Sequence, residues 1–235
     1  MQENQEQRLS RWLKLTLPAA VIVAAMILSI RYGSRYYGAL SLVMVLAALV
    51  WFFLRYEQKR PPAREWIPLA VMASIAALGR MALAPVPHAK PMSAIIIITA
   101  MVFGAEAGFL TGALAAVGSN FFFGQGPWTP WQMFAWGMIG FVAGLLGKIG
   151  WLDKKWQRCV FGLCAGFMYG WVLNIWTAVT ATAGEAGTGF IGLCLLSLPF
   201  DILHGMATVI FLWLLADSWG GKLRRVQVKF GLMKP

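Results

Sequence analysis

The chain has 235 residues, of which 59% are hydrophobic and 12% charged, with 12 tryptophans and 15 phenylalanines. Soluble domains carry roughly 25% charged residues, so this balance and a mean hydropathy of +0.67 exclude a soluble enzyme and place most of the chain in lipid. The net charge of +11 is spread in short runs between apolar segments and not gathered on one soluble face, which excludes nucleic acid as a partner.

Counted in spans of about 20 apolar residues, the sequence predicts eight helices, at 15–31, 36–55, 66–84, 91–104, 105–123, 131–148, 157–181 and 190–217. The polar start MQENQEQRLSRWLK is followed by no small-residue cleavage site, so no removable signal peptide is expected. The fourth span is short and runs into the fifth, which predicts a tight hairpin turning between Gly104 and Gly108. Pro199 inside the last span predicts a kink or a helix boundary.

Lysine and arginine set the orientation. Arg8, Arg11 and Lys14, then Arg55, Lys59, Arg60 and Arg64, then Lys148, Lys154, Lys155 and Arg158, then Lys222, Arg224, Arg225, Lys229 and Lys234 fall on one side. Only Arg31, Arg35, Arg80 and Lys90 fall on the other. The crowded side is cytoplasmic, both termini lie there, and an even number of spans agrees. The polar stretch RYEQKRPPARE at 55–65 divides the chain. Residues 1–60 form a cytoplasmic segment and two additional membrane helices with no assigned chemistry. Residues 61–220 form a six-helix membrane core, and 221–235 a basic cytoplasmic tail.

Small residues recur every fourth position in two core spans: Gly104, Gly108, Gly112 and Ala116, ending in Asn120, and Gly162, Gly166 and Gly170, ending in Asn174. Gly140 and Gly144 make a shorter set between them. Such faces bring helix backbones close in lipid and turn both asparagines toward protein. Ala73 and Ala77 form a similar pair, which reads equally as packing within the chain or as a docking face for another membrane subunit.

Polar groups at membrane depth are costly and mark functional sites. They are Arg80, Asn120, Gln132, Asn174, Asp201 and His204. Arg80 and Asp201 are the only opposite charges at similar depth, and they are expected to pair, as a structural ion pair or as part of a relay. His204, three residues beyond Asp201, reads as a hydrogen-bonded core histidine and not as a metal ligand. Cys159, Cys164 and Cys194 lack metal or disulfide spacing.

The stretch SNFFFGQGPWTPWQMFAWG, 119–137, is the most distinctive. Its glycines and prolines break the helix, and Phe123, Trp128 and Trp131 alternate with Gln125 and Gln132. Tryptophans of this kind also form ordinary interfacial belts. At this density they suit the wall of a pocket for a flat or bulky heterocycle. The segments 83–91 and 182–190 are expected on the same, outer side, placed to close over it. Phosphate loop, HExxH motif and nucleophile elbow are absent from the sequence, so no enzyme activity, nucleotide site or cofactor is expected.

From about residue 66 to 220 the chain resembles the substrate-binding S component of an energy-coupling factor (ECF) vitamin transporter. The resemblance is carried by GAEAGFLTGALAAVGSNFFFGQGPWTPWQMFAWGMIGFVAGLL, 104–146, and LPFDILHGMATVIFLWLL, 198–215. It implies a cell-membrane protein that binds a vitamin outside and docks on a transmembrane coupling subunit with two ATPases. It also implies a contact with the coupling subunit at Ala73 and Ala77. The 124–137 loop resembles members assigned to cobalamin and corrinoid precursors. Two N-terminal spans depart from the six-helix pattern. A stand-alone secondary transporter using Arg80, Asp201 and His204 as a proton relay is the rival reading.

Overall fold

The computed structural model describes residues 20, 21, 24, 37–58, 62–87, 89–180 and 189–233. Most of the first expected span, 15–31, and most of the 182–190 segment lie outside the described residues. Within them the protein is all-helical, with seven helices: α1 Tyr37–Gln58, α2 Ala63–Ala82, α3 Met92–Phe103, α4 Ala105–Phe123, α5 Thr129–Lys148, α6 Lys155–Thr180 and α7 Gly189–Phe230. The described helices after the first thus form the six-helix core. Three of them, α2, α6 and α7, are long and apolar enough to cross a membrane.

Local sequence sets the helix ends. Pro62 precedes α2, with Glu65 in its first turn and Arg80 in its last, each charge favourable at its end of the helix dipole. Gly104 (φ 92°) ends α3 and starts α4, and Gly124 (φ 97°) ends α4. Both angles lie in the region that favours glycine. The hairpin between the fourth and fifth spans therefore turns on Gly104 alone. Pro130 sits in the first turn of α5, where its missing N–H is tolerated.

The short span is the centre of the molecule. All residues of α3 except Met101 are buried. At 12 residues it spans about 18 Å, well under the roughly 30 Å of a bilayer core. It needs no lipid contact because α2, α4, α5 and α7 surround it.

The two remaining pairings are backbone-close. A Cβ on Gly108 would stand 2.6 Å from the Gly140 carbonyl oxygen, so α4 and α5 cross with no side chain between them. A Cβ on Gly166 would stand 2.5 Å from the Gly205 nitrogen, and α6 and α7 cross in the same way. The glycine ladders thus act as packing faces. Ala73 and Ala77 are likewise buried in the chain's own core, as the packing alternative for this pair expects. In the middle of α2 the exposed small residues are Ala70 and Ser74.

The helix α7 is continuous across Pro199, so no helix boundary falls there, and it continues to Phe230, through most of the expected tail. In its extension the Gln227 amide donates to the Val102 carbonyl (2.9 Å), and the Met233 N–H donates to the Glu65 carboxylate (3.0 Å). The second expected span, α1, docks on the core. Phe52 stacks on Phe109 with ring centroids 3.8 Å apart, and Arg55 meets Glu106 at 3.1 Å.

Candidate functional site

The end of the bundle where α2 and α4 finish and α5 begins collects the polar groups. Arg80, in the last turn of α2, donates through Nη1 to Ser119 Oγ (2.5 Å) and Asn120 Oδ1 (2.8 Å) at the end of α4. Its guanidinium lies over the rings of Phe123 (4.4 Å) and Trp136 (4.9 Å). Asn120 is 1% exposed, so it can act only through its neighbours. Its amide donates to Thr129 Oγ1 (3.1 Å) and Gln132 Oε1 (2.6 Å), and Gln132 donates to the Tyr169 hydroxyl (3.1 Å) on α6. Gln125 accepts from the Thr129 hydroxyl (3.0 Å) and donates to the Val117 carbonyl (3.0 Å), which fixes the turn after α4.

A second chain runs deeper. Trp136 Nε1 donates to Ser93 Oγ (3.1 Å) on α3, which also bonds His204 Nε2 on α7 (2.9 Å). The ring of Tyr169 joins the two chains, 4.4 Å from Trp136 and 5.0 Å from His204. A third group lies between α6 and α7, where Asn174 donates to Ser197 Oγ (2.8 Å) and Ser197 donates to the Asp201 carboxylate (2.9 Å).

Of the residues singled out in the sequence, the structure brings Arg80, Asn120, Phe123, Gln125 and Gln132 together. His204 adjoins them through Ser93 and Tyr169, while Asn174 and Asp201 form their own group with Ser197. Trp131 does not belong: it is buried with Val45, Leu49, Phe52 and Phe109, under α1. Trp128 is half-exposed and packs its ring over Gly126 in the turn. The expected Arg80–Asp201 pair does not form. Equal depth does not bring α2 and α7 side by side, because α3 lies between them. Arg80 bonds the neutral groups of Ser119 and Asn120 instead.

Sequence reasoning missed Ser93, Ser119 and Tyr169. Hydroxyls on serine carry no signal by themselves. Tyr169 had one, as the only tyrosine beyond residue 56.

Lys90, in the loop before α3, donates to the carbonyls of Leu83, Ala84 (3.1 Å) and Val86 (2.8 Å), closing the loop over the end of α2. Burial, and then the nearby Arg80 charge, hold its ammonium below the ordinary lysine range. Among the described residues no group of three His, Cys, Asp or Glu stands close enough to hold a metal.

The opposite end carries a cleft of about 390 Å³ lined by Asp153, Arg158, Asp217 and Arg224, among others. Part of its charge is paired within the chain. Asp217 meets Arg158 at 2.8 Å and Lys155 at 2.9 Å, and Arg158 also donates to the Asp153 carbonyl (3.0 Å).

A bundle of apolar helices around a buried central segment, with its cationic, amide and ring groups gathered at one end, defines a multi-pass membrane protein. The family model described as ECF-type riboflavin transporter, S component, matches residues 66–219. The chain therefore belongs to the S components of ECF transporters, the substrate-specific subunits of these importers, and not to an enzyme family. Neither a curated protein nor a solved structure shows significant similarity to it.

Proposed function

We propose that the protein binds a flat-ring vitamin at the Arg80 end of the bundle and delivers it across the cell membrane with a coupling subunit and two ATPases. The lysine and arginine asymmetry orients that end outward and both termini inward. The observation that carries the reading is the continuous network from Arg80 through Asn120 and Gln132 to Tyr169. It joins α2, α4, α5 and α6 at one end, beside half-exposed Phe123 and Trp128 rings.

Riboflavin is the first candidate ring, because the matched family is described by it. Cobalamin and its precursors rest on the likeness of the 124–137 loop alone and stand second. The test is mass spectrometry of small molecules that co-purify with the detergent-solubilised protein, followed by calorimetric titration with riboflavin, cobalamin, cobinamide and thiamine. Binding of a flavin at micromolar affinity or better supports the reading. Tight binding of a corrinoid instead overturns the flavin assignment while keeping the transport role. A well-folded preparation that binds none of them sinks the proposal.

A further inference from the structure

Arg80 carries a full charge in a place where charge is expensive, and it meets no carboxylate among the described residues. Both of its hydrogen bonds leave from Nη1 and end on neutral oxygens. A guanidinium has further N–H donors on Nε and Nη2, and neither has an acceptor among the described residues. The rings of Phe123 and Trp136 and the carbonyl end of α2 ease the cost of the charge without neutralising it.

The guanidinium is also held in place. Ser119 and Asn120 fix one edge, and Asn120 is itself locked by Thr129 and Gln132. A fixed planar fork with its other edge unused is the geometry that receives a carboxylate or phosphate. Lys90 adds a second positive charge in the loop before α3, where the Arg80 charge helps hold its ammonium below the ordinary lysine range. It too lacks an acidic partner among the described residues, its ammonium being turned onto loop carbonyls. Phe123, beside the fork and 40% exposed, offers aromatic surface to a flat ligand.

We propose that the preferred ligand of this site is a flat-ring compound bearing an ionised acid group, a carboxylate or a phosphate, received by the free edge of Arg80. This rests on the reading of the Arg80 end as the vitamin site and narrows what the site takes. A neutral ring ligand such as riboflavin offers carbonyl acceptors but leaves the charge uncompensated.

The experiment uses matched pairs that share a ring and differ in the acid: riboflavin against flavin mononucleotide for phosphate, and nicotinamide against nicotinate for carboxylate. Affinities are measured on the full chain in detergent, for the wild type and for Arg80→Gln and Arg80→Lys. The expected result is that the acidic member of at least one pair binds about tenfold tighter or more, as a charge-assisted hydrogen bond allows. That preference should fall to within about threefold in Arg80→Gln, with an intermediate ratio in Arg80→Lys. The pair showing the preference identifies the acid.

Should Arg80→Gln not fold, the wild-type ratio and its decline with added salt decide the matter alone. Neutral members that bind as tightly as their acidic partners overturn this inference and leave the vitamin site standing. An acid preference that survives in folded Arg80→Gln removes Arg80 from the role. Folded wild-type protein that binds no member of either pair overturns both the inference and the flat-ring reading beneath it.

Discussion

At the scale of single residues, the polar network at the Arg80 end turns on one buried asparagine. Asn120 is fully buried, and its side chain ties Arg80 to Thr129 and Gln132. Replacing it with alanine strands these partners, at about 1–3 kcal/mol for a buried group left unsatisfied. Asn120→Ala should therefore melt roughly 3–10 °C lower in detergent and bind its ligand at least about tenfold more weakly, since Arg80 would keep only Ser119. A variant with unchanged melting and affinity would show that the network is not what positions Arg80. Trp131→Ala should behave differently. Trp131 packs under α1, so the change should lower melting while leaving affinity within about twofold, because the cavity it opens lies away from Arg80.

These residues also show what the sequence could reveal. Arg80, Asn120 and Gln132 were legible because a polar group at membrane depth is conspicuous in itself. The partner of Arg80 was not legible, since charge and depth say nothing about which helices are neighbours. The expectation of Asp201 ignored a helix standing between them. Trp131 misled for a related reason. The aromatic run 119–137 gives no sign that one of its tryptophans turns toward α1. The structure shows this through Phe52 and Val45, which belong to a helix the sequence left without a role.

At the scale of elements, glycine spacing was the most reliable signal, because a four-residue repeat leaves one side of a helix bare whatever its partner is. The bare faces meet each other: Gly108 against Gly140, and Gly166 against Gly205. Length was less reliable. The short α3 is not a weak crossing but the buried axis of the core, and α7 passes through Pro199 without a break. A proline removes one backbone hydrogen bond, which the neighbours of a membrane helix can absorb. The crossing of α4 and α5 sets the distance between Asn120 and Gln132, so it is testable through the site. Gly108→Val places methyls against the backbone of α5 and should cost about 1–3 kcal/mol by overpacking. Lower melting together with weakened binding is the expected outcome. Full stability and affinity in this variant would mean that the two helices are not packed backbone to backbone.

At the scale of the whole molecule, an S component must present one face to its coupling subunit while its core stays closed. The burial of α2 separates two kinds of small residue on that helix. Ala73 and Ala77 are closed off inside the chain. Ala70 and Ser74, four residues apart and therefore on one face, are exposed alongside Ile67, Val71 and Leu78. A partner helix can approach closely only where side chains are small and outward. Ala70→Trp or Ser74→Trp should then abolish ATP-driven uptake in cells while leaving ligand affinity in detergent within about twofold. Ala73→Trp should instead lower melting by forcing an indole into the core, and binding should fall with it. The pair of outcomes separates a docking face from a packing face on one helix. If both outward tryptophan variants transport normally, the coupling subunit docks elsewhere. The docked α1, which holds the core through Phe52 and Arg55, would then be the next surface to probe by the same substitution.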